Sequence, residues 1–263
     1  MRLGMAFAVF GVTAVAVAAT YPTLTWTGDA GDAKWLTPGN WTSDSGTPDP
    51  TAVNNYRFVD VPDNTTITID KDLVVNDITV TNTTDQVRNL KISSTKNIKN
   101  NSTSCFYIYP KSVLDFNCTA PNPWNGTYNG FTLRGGGTLK FTAVRESWGG
   151  NASIYSSTFY LGVGGSMTSG MGTIPLTLYD GAVFDLGCDG YVKNLQMANN
   201  TPSTIKLNGH KLICSATAAR TIRGSLLGDS ASWMVLNGPF AWTFATDMSM
   251  NGTYEIRNSA LEL

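Results

Sequence analysis

Tyr179-Asp180-Gly181-Ala182-Val183-Phe184-Asp185-Leu186-Gly187-Cys188 aligns without gaps on Tyr109-Pro110-Lys111-Ser112-Val113-Leu114-Asp115-Phe116-Asn117-Cys118. Tyrosine, valine, aspartate and cysteine are identical, and leucine and phenylalanine exchange at two apolar positions. A shorter third copy, Ser259-Ala260-Leu261-Glu262-Leu263, matches Ser112 to Phe116. The step from Phe116 to Leu186 is slightly shorter than the next one, from Leu186 to Leu263. Either step is too long for one solenoid coil but divides into three coils of about 23–26 residues, within the ~20–50-residue range of stacked repeats. The segment from Ile205 to Cys214 then reads as the coil after Cys188.

Outward from that repeat, short alternating runs fill the chain. Thr66-Ile67-Thr68-Ile69, Leu90-Lys91-Ile92, Thr138-Leu139-Lys140-Phe141, Leu176-Thr177-Leu178 and Ile205-Lys206-Leu207 all have period two, with glycine, asparagine or aspartate nearby. No window after residue 19 carries helical periodicity. The reading is all-β, with many short strands whose apolar faces are buried only by stacking.

Gly181 to Leu186, Leu207 to Leu212 and Gly136 to Phe141 resemble the repeats of bacterial autotransporter-associated β-strand proteins. The opening Trp26-x-Gly28, Trp35 and Asn40-Trp41 is similar to the segment that often begins the mature part of such proteins. The resemblance implies a right-handed parallel β-helix, exported and displayed outside the cell.

Composition agrees with export. Met1 to Ala19 has one basic residue, an apolar run and small residues at Val17-Ala18-Ala19, the pattern of a cleaved signal peptide. No later stretch is long enough to span a bilayer, which takes about 20 apolar residues. Charged residues make up 14% of the chain and the net charge is -1, so no electrostatic footprint for nucleic acid exists. Residues 20–65 are expected to form an N-terminal cap with the first strands, and 66–263 the coils of one domain.

Four cysteines, Cys105, Cys118, Cys188 and Cys214, suggest two disulfides in an oxidising compartment, with three pairings open. If Cys188 and Cys214 occupy neighbouring coils, a spacing of about 4.8 Å brings them within bonding range. That predicts a Cys188–Cys214 bridge and leaves Cys105–Cys118. Without Cys-x-x-Cys spacing and with one histidine, no zinc site is expected, and no cofactor is expected either.

The candidate sites divide into frame and function. Trp26, Trp35 and Trp41 are read as the cap over the open solenoid end, each ring burying on the order of 150–250 Å². Gly28, Gly31 and Gly39 would allow the tight loops between them. A sugar-stacking surface on these tryptophans, or a cation loop at Asp29 and Asp32, is the alternative. Asp115 and Asp185 recur at one repeat position, with Glu262 in the third copy; alternation places them outside the coil, in solvent. Arg145-Glu146 beside Trp148 is a further charged–aromatic grouping. His210 is expected in a surface turn. The sequons at Asn40, Asn64, Asn82, Asn125 and Asn251 are read as turn chemistry.

No catalytic residue is assigned. The expected function is a secreted or cell-surface structural or adhesive rod, presenting loops and polar faces to glycans, matrix or other cells. The alternatives are a carbohydrate-active enzyme on the same scaffold or a carbohydrate-binding module. Because the third copy of the motif closes the chain with no second tryptophan segment, the last rung is expected to be open. It would continue in a longer surface protein or pair end to end with a second copy.

Overall fold

A computed structural model describes residues 20–101, 104–119, 130–142, 151–162, 175–198, 202–245, 248–258 and 261–262. The regular structure there is β, apart from one 3-10 turn at Pro38–Asn40. Strands stack into a 13-stranded and a nine-stranded sheet, joined later by a three-stranded one. Thr23–Trp26 pairs antiparallel with Trp41–Ser43, and beyond the cap the rungs stack in parallel. The chain is a β-solenoid.

The path alternates between sheets. Asn54–Val59 lies in the large sheet, Thr65–Ile69 in the nine-stranded one, and Leu73–Thr81 returns to the first. Gly190–Met197 turns a corner within itself. Its first half pairs with Lys211–Ser215, and its second half with Pro175–Tyr179. From there the coils gain a third side, where Arg220–Ile222 stacks on Trp242–Phe244.

The quoted repeat is a corner followed by a strand. Lys111 (φ 62) and Asp180 with Gly181 (φ 48 and 76) take the left-handed conformation that bends the chain between sheets. The Ser112 and Ala182 amides close the two turns on the Tyr109 and Tyr179 carbonyls. Asp115 pairs with Lys140, Lys140 with Tyr160 and Tyr160 with Asp185. The step from one motif to the next therefore spans three coils, and the middle one, from Lys140 to Tyr160, is shorter than its neighbours.

Alternation then sorts the side chains. Leu114, Leu139, Phe159, Phe184, Ile205 and Leu226 follow one another inward, rung upon rung, and are buried. Phe106 meets Phe116 across the core, and Phe131 meets Phe141 and Phe159, with centroids 5.5–6.0 Å apart. Burying each such side chain contributes about 1.5–3 kcal/mol, so the stack supplies what no single coil can.

The third motif copy is not in phase with the first two. Below Asp185 the rungs carry Lys206, Leu227 and Ser249, whereas Glu262 pairs with Thr243 in the three-stranded sheet. The coils after Asp185 are on average shorter than those between Asp115 and Asp185. Three of them end at Ser249, well before Glu262, which lands on another side of the solenoid.

The expected disulfides do not form, and the four cysteines keep their thiols. Cys214 lies in the large sheet between Val192 and Leu236. Cys188 follows the nine-stranded sheet's Val183–Leu186 and turns its thiol toward the Leu161 carbonyl of the preceding coil. Cys105 sits on the outer side of Ser104–Ile108, while Cys118 is buried inside. The coil expected to run from Cys188 to Cys214 closes sooner, between Asp185 and Lys206, so Cys214 already belongs to the other sheet.

The tryptophan segment is the cap. Thr23–Trp26 covers the edge strand Asn54–Val59 of one sheet, and Lys34 bridges to Thr68 on the edge of the other. Trp26, Trp35 and Trp41 are buried with Tyr56 and Phe58, their rings meeting edge-on or tilted. The Trp41 indole donates to the Trp35 carbonyl at 2.6 Å. Gly28 and Gly31, at φ 75 and 73, make the bends that L side chains resist.

Candidate functional site

Because the tryptophan rings are buried, they offer a sugar no stacking surface. Asp32 is likewise occupied by its own loop. It accepts from the Lys34 amide at 3.0 Å, the Thr37 hydroxyl at 2.7 Å and the Asn40 amide at 2.6 Å. Those donors, Thr37 foremost, hold its carboxyl below the usual range. Among the described residues, no group of three or more His, Cys, Asp or Glu side chains is placed to hold a metal.

Asp115 and Asp185 face outward, as alternation requires, but stand in mid-strand and are half-buried. Asp115 lies between Lys91 and Lys140. Asp185 approaches the Lys206 ammonium at 3.9 Å and accepts from the Asn208 amide at 2.6 Å. Three rungs separate the two carboxylates, about 14 Å at ~4.8 Å per rung. A glycosidase pair stands about 5–9.5 Å apart. These aspartates join coils.

Other acids do the same at the corners. Asp63 accepts from the Asn89 backbone at 2.7 Å, Asp72 from the Asn97 backbone at 3.0 Å, and Asp189 from the Lys211 backbone at 2.8 Å. His210 lies in the Asn208-Gly209 turn, half-exposed and 3.8 Å from Asp189. Arg145, Glu146, Trp148 and Asn125 lie outside the described residues.

Chemistry of another kind gathers on the outer face of the 13-stranded sheet. Parallel register puts Arg57, Thr79, Tyr107, Arg134, Tyr155 and Tyr179 in one row across successive rungs. The Arg134 guanidinium sits 4.0 Å above the Tyr155 ring. Tyr155 in turn stacks on Tyr179, with centroids 4.3 Å apart and planes 3° from parallel. At the cap end the same face sinks into an open groove of about 490 Å³, whose walls include Arg57, Asp77, Thr81, Tyr107 and Tyr109.

Asp77 is the one carboxylate among the described residues lining that groove. Burial lifts its carboxyl above the ordinary range, although it accepts from the Cys105 amide at 2.8 Å. Burial also raises the Cys105 thiol. The groove is thus polar and aromatic, with one reluctant anion.

Sequence reasoning missed this row. Tyr179 was visible as a repeat landmark, but its neighbours in the row come from coils of unequal length. Only the rung register aligns them. In comparison with known proteins, no family model, no curated protein and no solved structure matches the chain.

Proposed function

We propose that this protein is a secreted or cell-surface adhesive solenoid that binds glycans along the outer face of its large sheet. The observation carrying the reading is the Arg134–Tyr155–Tyr179 stack, partly open to solvent on adjacent rungs and continuous with the Arg57–Tyr107 groove. Tyr155 lies between the Arg134 guanidinium and the Tyr179 ring, so the stack presents ring edges and phenol hydroxyls to solvent, an apolar body with a polar tip that suits sugar hydroxyls. Guanidinium and threonine groups supply directional donors beside them. A rigid stack of rungs holds these groups at fixed spacing, so recognition requires little ordering on binding.

The reading is non-catalytic. Acid–base cleavage of glycosidic bonds takes two carboxyl groups flanking the bond, and the described groove offers Asp77 alone. Export rests on the Met1 to Ala19 pattern. Kinship with autotransporter passengers rests on the quoted motifs together with the solenoid. Ile256 continues the buried row of Cys214 and Leu236 yet is 40% exposed. A second copy stacking there would suit a surface rod.

Binding to a panel of immobilised neutral and acidic polysaccharides tests the proposal. The wild-type chain should bind at least one, and Tyr155→Ala and Tyr179→Ala should weaken that binding about tenfold or more without loss of fold. No binding across the panel, or equal binding by the variants, would overturn it.

A further inference from the structure

Arg220 occupies a position built for an apolar side chain. It stacks in register on Trp242, and Ile222 on Phe244. Trp242, Ile222 and Phe244 are buried, and in-register residues of a parallel ladder point to the same side. The row is therefore the inward one, and Arg220 enters it on the rung beside Trp242.

The charge at the end of its stem has no ion-pair partner among the described residues. The Arg220 Nε is buried and has no hydrogen-bond partner. The ion pairs among the described residues involve Arg88, Lys111, Lys206, His210 and Arg257, and neither Arg220 nor Arg223. A buried guanidinium donor left unpaired costs the desolvation of that group. Methionine or leucine would fill the row without that cost.

Beside it a hollow of about 150 Å³ opens between Arg220–Ile222 and the end of Gly190–Met197. Its lining is Gln196, Met197, Ala219, Arg220, Thr221 and Arg223, with no acidic side chain. At ~30 Å³ per water that is room for roughly five waters, or for one oxyanion group with water around it. Two guanidinium groups, an amide and a hydroxyl border a small polar space. Guanidinium forks match the paired oxygens of carboxylate and sulfate.

We propose that this hollow is an oxyanion site, in which the guanidinium groups of Arg220 and Arg223, both of which line it, grip a carboxylate or sulfate group. The ligand class is an acidic saccharide or the free inorganic anion, which share that chemistry. The site uses none of the residues of the aromatic row, so it stands or falls separately from glycan binding there.

The test is calorimetric and thermal titration of the mature chain with sodium sulfate, against sodium chloride at matched ionic strength. Arg220→Met and Arg223→Gln are titrated in parallel. Sulfate should bind the wild type and raise its melting temperature beyond chloride; both effects should vanish in Arg220→Met, and affinity should fall at least tenfold in Arg223→Gln. Without oxyanion, Arg220→Met should melt no lower than wild type, because an apolar side chain replaces an unpaired charge. If Arg220→Met does not fold, the half-site variant Arg223→Gln decides. Glucuronate competing with sulfate, where glucose does not, assigns the site to acidic sugars; sulfate binding without such competition assigns it to the inorganic anion or a sulfate ester. A sulfate response equal to that of chloride, or unchanged in both variants, refutes the site.

Discussion

Tyr155 and Tyr179 stack on adjacent rungs of one sheet, 4.3 Å between centroids and 3° from parallel, with the Arg134 guanidinium 4.0 Å over the Tyr155 face. Two aromatic planes and a cation held in line by backbone register form a surface that is stiff before any ligand arrives.

That coupling is measurable without a ligand. A double-mutant cycle of Arg134→Ala and Tyr155→Ala, read by denaturant unfolding, should give an interaction of about 0.5–1 kcal/mol, the range for an exposed cation–π pair. Additivity within error would show that the guanidinium does not rest on the ring in solution.

The cap should be the most sensitive part of the molecule. Trp35 is fully buried against Tyr56 and Trp41, so Trp35→Ala should cost about 3–5 kcal/mol. Asn40 is also buried; it donates to Asp32 and the Lys34 carbonyl, and accepts from the Ala30 amide at 3.0 Å. Its sequon should therefore remain unmodified in a glycosylating host, whereas exposed Asn64 and Asn251 are available. Glycopeptide mapping decides this.

Stability should fall in acid. Thr83 hydroxyl and backbone donors lower the Asp60 carboxyl, and backbone donors of Asn89 and Asn97 lower those of Asp63 and Asp72. A depressed carboxylate contributes stability above its unfolded pKa of about 3.9 and loses it as pH drops through the folded value. Melting temperature should thus decline steadily below about pH 4. Asp77, raised by burial, has the opposite sign: its contribution is lost as pH rises from the unfolded value. Asp77→Asn should therefore gain stability near neutrality relative to wild type, and a loss there would contradict the buried-carboxyl account.

Gly224 begins a strand at φ 109, and a side-chain carbon there would collide with the Ser203 carbonyl oxygen on the rung beside it. Gly224→Ala should destabilise by at least about 1–3 kcal/mol. Gly31→Ala, also at positive φ but with open space around it, should cost only the conformational part. Comparing the two separates backbone strain from inter-rung contact.

The thiols should titrate in two classes. Cys118 and Cys214 are buried, and burial pushes the Cys214 thiol far up. Both should ignore a thiol reagent until the chain unfolds, while half-buried Cys105 and Cys188 react faster. Non-reducing peptide maps should show no Cys188–Cys214 peptide.

Much of this molecule was legible in one dimension. Period-two runs such as Thr138 to Phe141 announce which side chains point inward, because alternation is a property of each strand alone. The Tyr109 and Tyr179 motifs reveal the three-coil period, because both spell the same corner between the same two sheets. The tryptophan segment reads as a cap, because an open solenoid end needs bulk that its own coils do not supply.

What stacks on what was decided only by the folded chain. Rung register accumulates coil lengths, and these are unequal: the coil from Ile78 to Phe106 is much longer than that from Leu178 to Met197. Each corner that lengthens or shortens shifts every later residue relative to the earlier coils. Glu262 thus leaves the row of Asp185, and Cys214 never meets Cys188. The same irregular sum brings Arg134, Tyr155 and Tyr179 into one line, and Arg220 beside Trp242. Alternation along a strand is local and survives in the sequence; adjacency between rungs is a long-range sum, and only the backbone hydrogen bonds between coils fix its value.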